Sequence, residues 1–327
     1  MLSPPHPSQQ ATFPPDFGTR FLVTIDTEED FDWSKPFSRI HHGLASLDQL
    51  GTCQTFFAHH GIKPLYLVDW PVINDTAAGA LLREFALSNR AEIGAQLHPW
   101  VNPPFDEVVN AQNSYTGNLP LALQRAKMAA LRDRIAEVIG IAPLAYRAGR
   151  YGLGTETMAM LAELGFRCDT SVRAGFDYRA GNGPDYRFFP PKPWWSKAPA
   201  GLLEIPLSTV FLGLAGEVSY HRLARLGQSA LSLASRLGVV ERIALTPEGI
   251  PAKRACAAID AAIDLGLPLL NFSFHSPSLA PGHTPYVTSK ADVVAFYAWW
   301  DRVLAHLDRR NVRTTTIAEV LAAAATG

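Results

Sequence analysis

Several large classes of protein are excluded by what this sequence has little of. Only three cysteines occur, Cys53, Cys168 and Cys256. They are odd in number and widely spaced, which argues against a disulfide framework or a cysteine-built zinc site and fits a reducing compartment. Net charge is almost absent, with 29 basic against 30 acidic residues. Without a polycationic stretch the chain has little to offer a nucleic-acid backbone, so no nucleic-acid partner is expected. No run of 18 or more apolar residues exists, and no membrane span is expected. The N-terminal MLSPPHPSQQATFPPDFG lacks a basic n-region and an apolar h-region, so no secretory signal is read and a cytoplasmic location is expected. No G-x-G-x-x-G follows the first strand-like segment, which weakens a dinucleotide-binding fold. No G-x-S-x-G is present, which counts against a serine hydrolase.

What is present is a large apolar fraction, 47% of 327 residues, ample for one large α/β domain or two smaller ones. Short β-branched and apolar runs alternate with longer helical patterns. Strands are expected at Phe21–Ile25, PLYLVDW, AEIGAQLHPW, PLAYRAGRYG, RCDTSV, LLEIPLSTVF, LPLLNFSFH and VRTTTI. Helices are expected between them, including RIHHGLASLDQLGTCQTFFAHHG and TAAGALLREFALSNR. The alternation argues for a parallel sheet or barrel of about seven βα units. Residues 1–18 read as an irregular arm and 19–327 as a single domain. Residues 174–200, rich in Gly, Pro, Tyr and Trp, read as a long loop, and 219–264 as a helical insertion.

The stretch Arg20–Trp33, RFLVTIDTEEDFDW, stands out. An apolar run ends in Asp26, Glu28, Glu29, Asp30 and Asp32. Carboxylates packed this closely repel unless a cation or a proton compensates them; the alternative is a solvated acidic turn. Asp26, His98, Arg147, Asp169 and His275 each fall at or near the C-terminal end of a different expected strand. In a βα-barrel that rim carries the active site.

The ordered motifs TIDTEEDF, EIGAQLHPWVN, YRAGRYG, CDTSV and FSFH resemble the NodB-homology polysaccharide deacetylases, carbohydrate esterase family 4, and within them an intracellular, WalW-like branch. The resemblance runs from about residue 20 to 320. It implies a distorted (β/α)7 barrel and metal-dependent hydrolysis, with water as nucleophile, of an acetyl group from an N- or O-acetylated sugar or polysaccharide precursor. Relatives of this fold remove formyl groups or open cyclic ureides. By resemblance, Asp26 matches the catalytic base, Arg147 its arginine partner, His275 the catalytic histidine and Asp169 the residue orienting it. His98 matches the first histidine of an H-x3-H metal motif whose second position is Asn102. Thr27 stands where the usual metal-binding Asp is found. Glu28, which shares a strand face with Asp26, is the expected replacement, with Glu29 as second choice. Gln96 lies on the same strand face as His98. A divalent metal, zinc by family habit, and a carbohydrate or glycoconjugate substrate are thereby implied. Tyr151 and Trp100 fall among the expected substrate contacts. Trp194 and Trp195 read either as a sugar-stacking platform or as core packing. Asn102 in place of histidine also leaves room for a glycan-binding protein without turnover.

Overall fold

The computed structural model describes residues 2–197, 201–213, 239 and 241–326. Its strands in chain order are β1 (Ala11–Thr12), β2 (Arg20–Thr27), β3 (Leu65–Val68), β4 (Glu92–Leu97), β5 (Ala145–Ala148), β6 (Cys168–Asp169), β7 (Trp194–Trp195), β8 (Leu203–Glu204), β9 (Thr209–Leu212), β10 (Glu241–Ala244), β11 (Leu269–His275), β12 (Arg313–Thr314) and β13 (Ala325–Thr326). The principal helices are α1 (Leu50–His59), α2 (Trp70–Asn74), α3 (Thr76–Leu87), α4 (Leu121–Ile139), α5 (Thr157–Glu163), α6 (Ala252–Asp264), α7 (Lys290–Arg309) and α8 (Ile317–Ala323).

Seven strands run parallel in the order β11-β2-β3-β4-β5-β6-β8, curled with helices outside. Strand alternation then sorts every side chain. Leu22, Leu67, Ala145, Cys168, Leu203 and Leu269 form an inner cluster. Their sequence neighbours Val23, Tyr66, Tyr146, Leu202 and Leu270 join the outer cluster beneath the helices. Ala11, Phe17, Ile317 and Val320 complete the inner cluster. The arm is tied down there, because β1 pairs antiparallel with β13.

Among the described residues the ring does not close by a continuous ladder. Between the β8–β9 segment and β11 the seam is held by Ser208 N donating to the Asn271 carbonyl at 3.2 Å and Asn271 N to Ser208 Oγ at 2.8 Å. Ser273 N donates to the Leu245 carbonyl just after β10 at 3.2 Å. The expected distorted (β/α)7 barrel is therefore the observed architecture.

Three sequence expectations change. The helix read from residue 39 begins at Leu50, preceded by a 3-10 turn at Ala45–Gln49. The second expected strand, PLYLVDW, ends at Val68: Asp69 caps α2, accepting from Val72 N at 3.0 Å, with Pro71 in the first turn. Within the expected helical insertion, residues 219–238 and 240 lie outside the described residues; among the described ones, Glu241–Ala244 is a strand and Ala252–Asp264 is helical. Among the described residues no helix is long and apolar enough to cross a membrane.

Candidate active site

At the C-terminal end of the parallel strands, inward-facing positions turn from apolar to polar. Asp26 and His275 are register partners on neighbouring strands. Asp26 Oδ1 accepts from Arg147 Nη1, and both residues are buried. The Arg147 fork is fully used: Nη1 also reaches Ser273 Oγ (3.0 Å), Nη2 reaches Thr24 Oγ1 (2.8 Å) and Thr170 Oγ1 (3.1 Å), and Nε donates to the Thr170 carbonyl (3.0 Å). A guanidinium so tethered has one position, and it fixes Asp26.

His275 is held from behind. Its Nδ1 lies 2.8 Å from Glu248 Oε2, while Glu248 Oε1 accepts from His275 N at 3.1 Å and Ser278 Oγ at 2.6 Å. That leaves Nε2 facing Asp26 Oδ2 at 3.7 Å. Burial alone would lower the His275 pKa, but Glu248, Glu28 and Asp26 outweigh it and push it up to about 10. The ring thus favours its protonated form, with Nδ1 against Glu248 and Nε2 aimed at Asp26. Burial pulls Glu248 the opposite way, and the His275 charge with its hydrogen bonds brings its pKa below the usual carboxylate value.

Beside this pair, Glu28 Oε2 lies 3.5 Å from His98 Nε2 and accepts from Gln96 Nε2 at 3.2 Å. Burial is the chief reason the Glu28 pKa is pushed up to about 8. His98 Nδ1 is taken by Glu29 Oε2 at 2.8 Å, and Trp100 Nε1 donates to Glu29 Oε1 at 2.9 Å. Trp100 also stacks on the His98 ring, with centroids 4.4 Å apart. Glu29, Asp69 and His98 bring one ligand atom each to within 4.8 Å of one another, a group able to hold a metal ion. Their atoms, however, already serve one another: Asp69 Oδ1 caps α2 and Oδ2 accepts from Glu29 N at 2.9 Å. With Nδ1 occupied, the free nitrogen of His98 is Nε2, on the Glu28 side. Gln96 Oε1 is buried with no hydrogen-bond partner. An imidazole nitrogen, a carboxyl group and an unpartnered amide oxygen make a donor set that fits a divalent cation, with Glu29 orienting the histidine from outside. Close packing holds His98 as well: a Cβ on Gly149 would fall 2.4 Å from His98 Cδ2 and 2.6 Å from the Leu97 carbonyl oxygen, so only glycine fits there.

These groups line one cavity of about 300 Å3 that includes Asp26, Glu28, Gln96, His98 and His275 on its floor. Aromatic walls rise around it, among them Phe31, Trp33, Tyr151 and Tyr178. Trp33 stands edge-on to His275 at 5.1 Å between centroids.

Of the residues expected from sequence, Asp26, Glu28, His98, Arg147 and His275 come together, and Tyr151 and Trp100 line the cavity. Four do not join them. Asp169 does not orient His275. Cys168 belongs to the inner cluster, so Asp169 faces outward, where it accepts from Ser171 N and Oγ and meets Glu204; Glu248 takes the orienting role. Asn102 is not among the lining residues. Its Nδ2 donates to the Pro103 and Lys127 carbonyls at 2.7 and 3.0 Å, and Lys127 Nζ in turn ties down the Pro99, Asn102 and Pro104 carbonyls. Asn102 Oδ1 is buried without a partner. Trp194 packs in the outer core and Trp195 against the inner cluster, so both are structural rather than a stacking platform. Sequence reasoning missed Glu248, Asp69, Arg150 and Arg173. Only Asp69 carried a readable signal, since it ends a strand as Asp26 does.

No family model and no curated protein sequence matches the chain. Solved structures do. A protein assigned as a polysaccharide deacetylase from Pseudomonas aeruginosa PAO1 is 13% identical, with 98% of this chain and 93% of that one covered at a TM-score of 0.53. Puue allantoinase is 12% identical over 98% and 93%, with a TM-score of 0.53. A protein assigned as a polysaccharide deacetylase from Mycobacterium smegmatis is 14% identical over 97% and 98%, with a TM-score of 0.50. The chain thus has the fold of the polysaccharide deacetylases and of that allantoinase.

Proposed function

We propose that this chain is a cytoplasmic, metal-dependent hydrolase that removes an acetyl group from an N-acetylated (or O-acetylated) sugar or polysaccharide precursor, with water as nucleophile. One observation carries the reading: Asp26 and His275 face each other at 3.7 Å on the cavity floor, each fixed from behind by a buried partner of opposite charge. Opposed groups held in this way are what a general base and a general acid require.

Asp26, oriented by Arg147, takes the proton from the attacking water. His275, cationic and with Nδ1 committed to Glu248, delivers the Nε2 proton to the departing amine or alcohol. Glu28, His98 through Nε2, and Gln96 through Oε1 would hold the cation, and the imidazole among them suits zinc. Such a cation would polarise the scissile carbonyl. The aromatic walls exclude water from the rest of the substrate and offer faces to a sugar ring.

The test is product release from N-acetylated sugars, N-formylated sugars and cyclic ureides, with zinc-loaded and chelator-treated protein. Acetate released in step with free amine, lost on chelation and restored by zinc, is the expected result. Formate, or a ring-opened ureido acid from a cyclic ureide, instead would make the chain another C–N hydrolase of the same fold, a reading favoured by the likeness to Puue allantoinase. No release from any substrate would leave a glycan-binding protein.

A further inference from the structure

Two cations on the cavity wall have no part in that chemistry. Arg150 is projected by left-handed backbone at itself and at Tyr151 (φ 54° and 61°), a conformation non-glycine residues rarely adopt. Its guanidinium rests 4.1 Å from the Tyr115 ring centroid and 5.0 Å from that of Phe37. Its polar contacts are Ser114 Oγ and the Ala111 carbonyl. Arg173 lies 4.0 Å from the Phe176 centroid and 5.1 Å from that of Tyr151, and its Nη1 is 3.3 Å from Tyr178 Oη. It also lines a second, smaller polar cavity of about 60 Å3 with Ser208, Thr246 and Asn271, which meets the first at Tyr151, His275 and Tyr286. The carboxylates on or behind the floor draw on other cations: Asp26 has Arg147, Glu248 has His275, and Glu29, Glu28 and Asp69 cluster around His98. Among the described residues, neither Arg150 nor Arg173 has a carboxylate partner. Both are half-buried and surrounded by ring faces and neutral oxygens.

A half-buried guanidinium with only neutral partners has given up hydration without gaining a counter-charge. Ring stacking fixes its plane but leaves most of its N–H fork free, and that fork matches a carboxylate or a phosphate. We propose that Arg150 and Arg173 form an oxyanion subsite, and that the sugar acted on in this cavity carries a carboxylate or a phosphate. The inference rests on the reading that this cavity is the substrate site. It places the acyl group over Asp26 and His275, the sugar ring against Tyr151 and Tyr178, and the anion at the arginine wall.

The experiment is calorimetric titration of the full chain with glucose, glucuronate and glucose 6-phosphate. None of them has an acyl group to lose, so binding is read independently of turnover. At least one charged sugar is expected to bind roughly tenfold or more tightly than glucose. Whichever charged sugar gains more identifies the anion. Arg173→Gln and Arg150→Gln are each expected to remove most of the preference, and Arg173→Lys to keep part of it. Melting curves on the same samples check folding; if Arg173→Gln is unfolded, Arg150→Gln carries the test. Equal affinity for glucose and both charged sugars, or a preference that survives both Gln substitutions, overturns the proposal. Failure of acyl release with the charge preference intact strikes the hydrolase reading alone. Acyl release from neutral sugars with no charge preference strikes the subsite alone.

Discussion

Two buried carboxylates, Asp26 and Asp169, sit at the ends of parallel strands in this barrel, and their pairs behave oppositely. Asp26 on β2 faces inward, meets a guanidinium and lines the cavity. Asp169 on β6 and Glu204 on β8 are register partners one residue out of that phase, so they face outward and meet each other. Burial raises the pKa of both Asp169 and Glu204, Glu204 well above the usual value, with the Asp169 charge adding to the effect on Glu204. A carboxylate at a strand end is therefore no sign of catalysis by itself. What separates the two cases is strand phase and the sign of the partner.

The sharpest way to break this contrast is to remove charge from each pair in turn. Asp26→Asn and His275→Ala are expected to cut acyl release by roughly 10²- to 10⁴-fold while leaving the fold intact. Rate and melting temperature measured on the same samples decide it. If Asp26→Asn melts far below wild type yet keeps its specific activity, Asp26 is as structural as Asp169.

Glu248→Gln probes the inward pair more gently. The residue touches His275 and not the cavity floor chemistry, so a loss of roughly 10- to 100-fold is expected, as for other groups that orient a catalytic ring. Because Glu248 is the chief reason His275 is held up to about 10, the alkaline limb of the pH–rate profile should move to lower pH in the variant. A rate loss with an unmoved profile would show packing damage alone.

Glu204→Gln is the counterpart on the outward pair, with activity per folded molecule expected to be unchanged. Its effect lies in stability. A carboxyl whose folded pKa is raised stabilises fully below its unfolded value near 4.5, and that contribution is lost as pH rises toward the folded value. Glutamine does not titrate, so the variant should gain on wild type between pH 5 and pH 8, by roughly 2–4 °C in melting temperature for each kcal/mol recovered. A parallel pH dependence in both proteins would mean that Glu204 is not the protonated partner.

Trp194→Phe should do least. Trp194 is in the outer core and its Nε1 is buried without a partner, so the indole N–H gives nothing up. Affinity for substrate is expected to be unchanged, whereas Trp100→Phe removes the bond to Glu29 and should weaken metal retention, measured by dialysis against chelator.

How much of this was legible in the sequence follows from strand length. β2 spans eight residues and β11 seven, long enough for alternation to assign a face to Asp26, Glu28 and His275. β6 has two residues, too few to show a phase, and Asp169 was placed on the wrong side. Glu248 follows a stretch that reads as helix and offers no strand end to count from. Arg150 and Arg173 sit on loop backbone, where no periodicity operates. Asn102 fits the spacing of a metal motif, but spacing does not reveal that its amide is tethered to the Lys127 carbonyl. An aromatic loop composition, finally, does not distinguish a tryptophan that meets ligand from one that fills the core.

The seam of the barrel has a consequence for how activity fails. Glu248 follows β10 and His275 ends β11, so the pair that fixes the acid spans the join between Ser208, Leu245 and Asn271. Elsewhere neighbouring strands share continuous ladders, and here a few separate bonds do the joining. Partial opening of such a boundary takes less free energy than global unfolding. On heating or in mild denaturant, His275 is expected to lose its orientation while the rest of the ring persists. Under the proposed function, inactivation would then be a local event at one edge, and activity should be lost below the melting temperature of the whole chain.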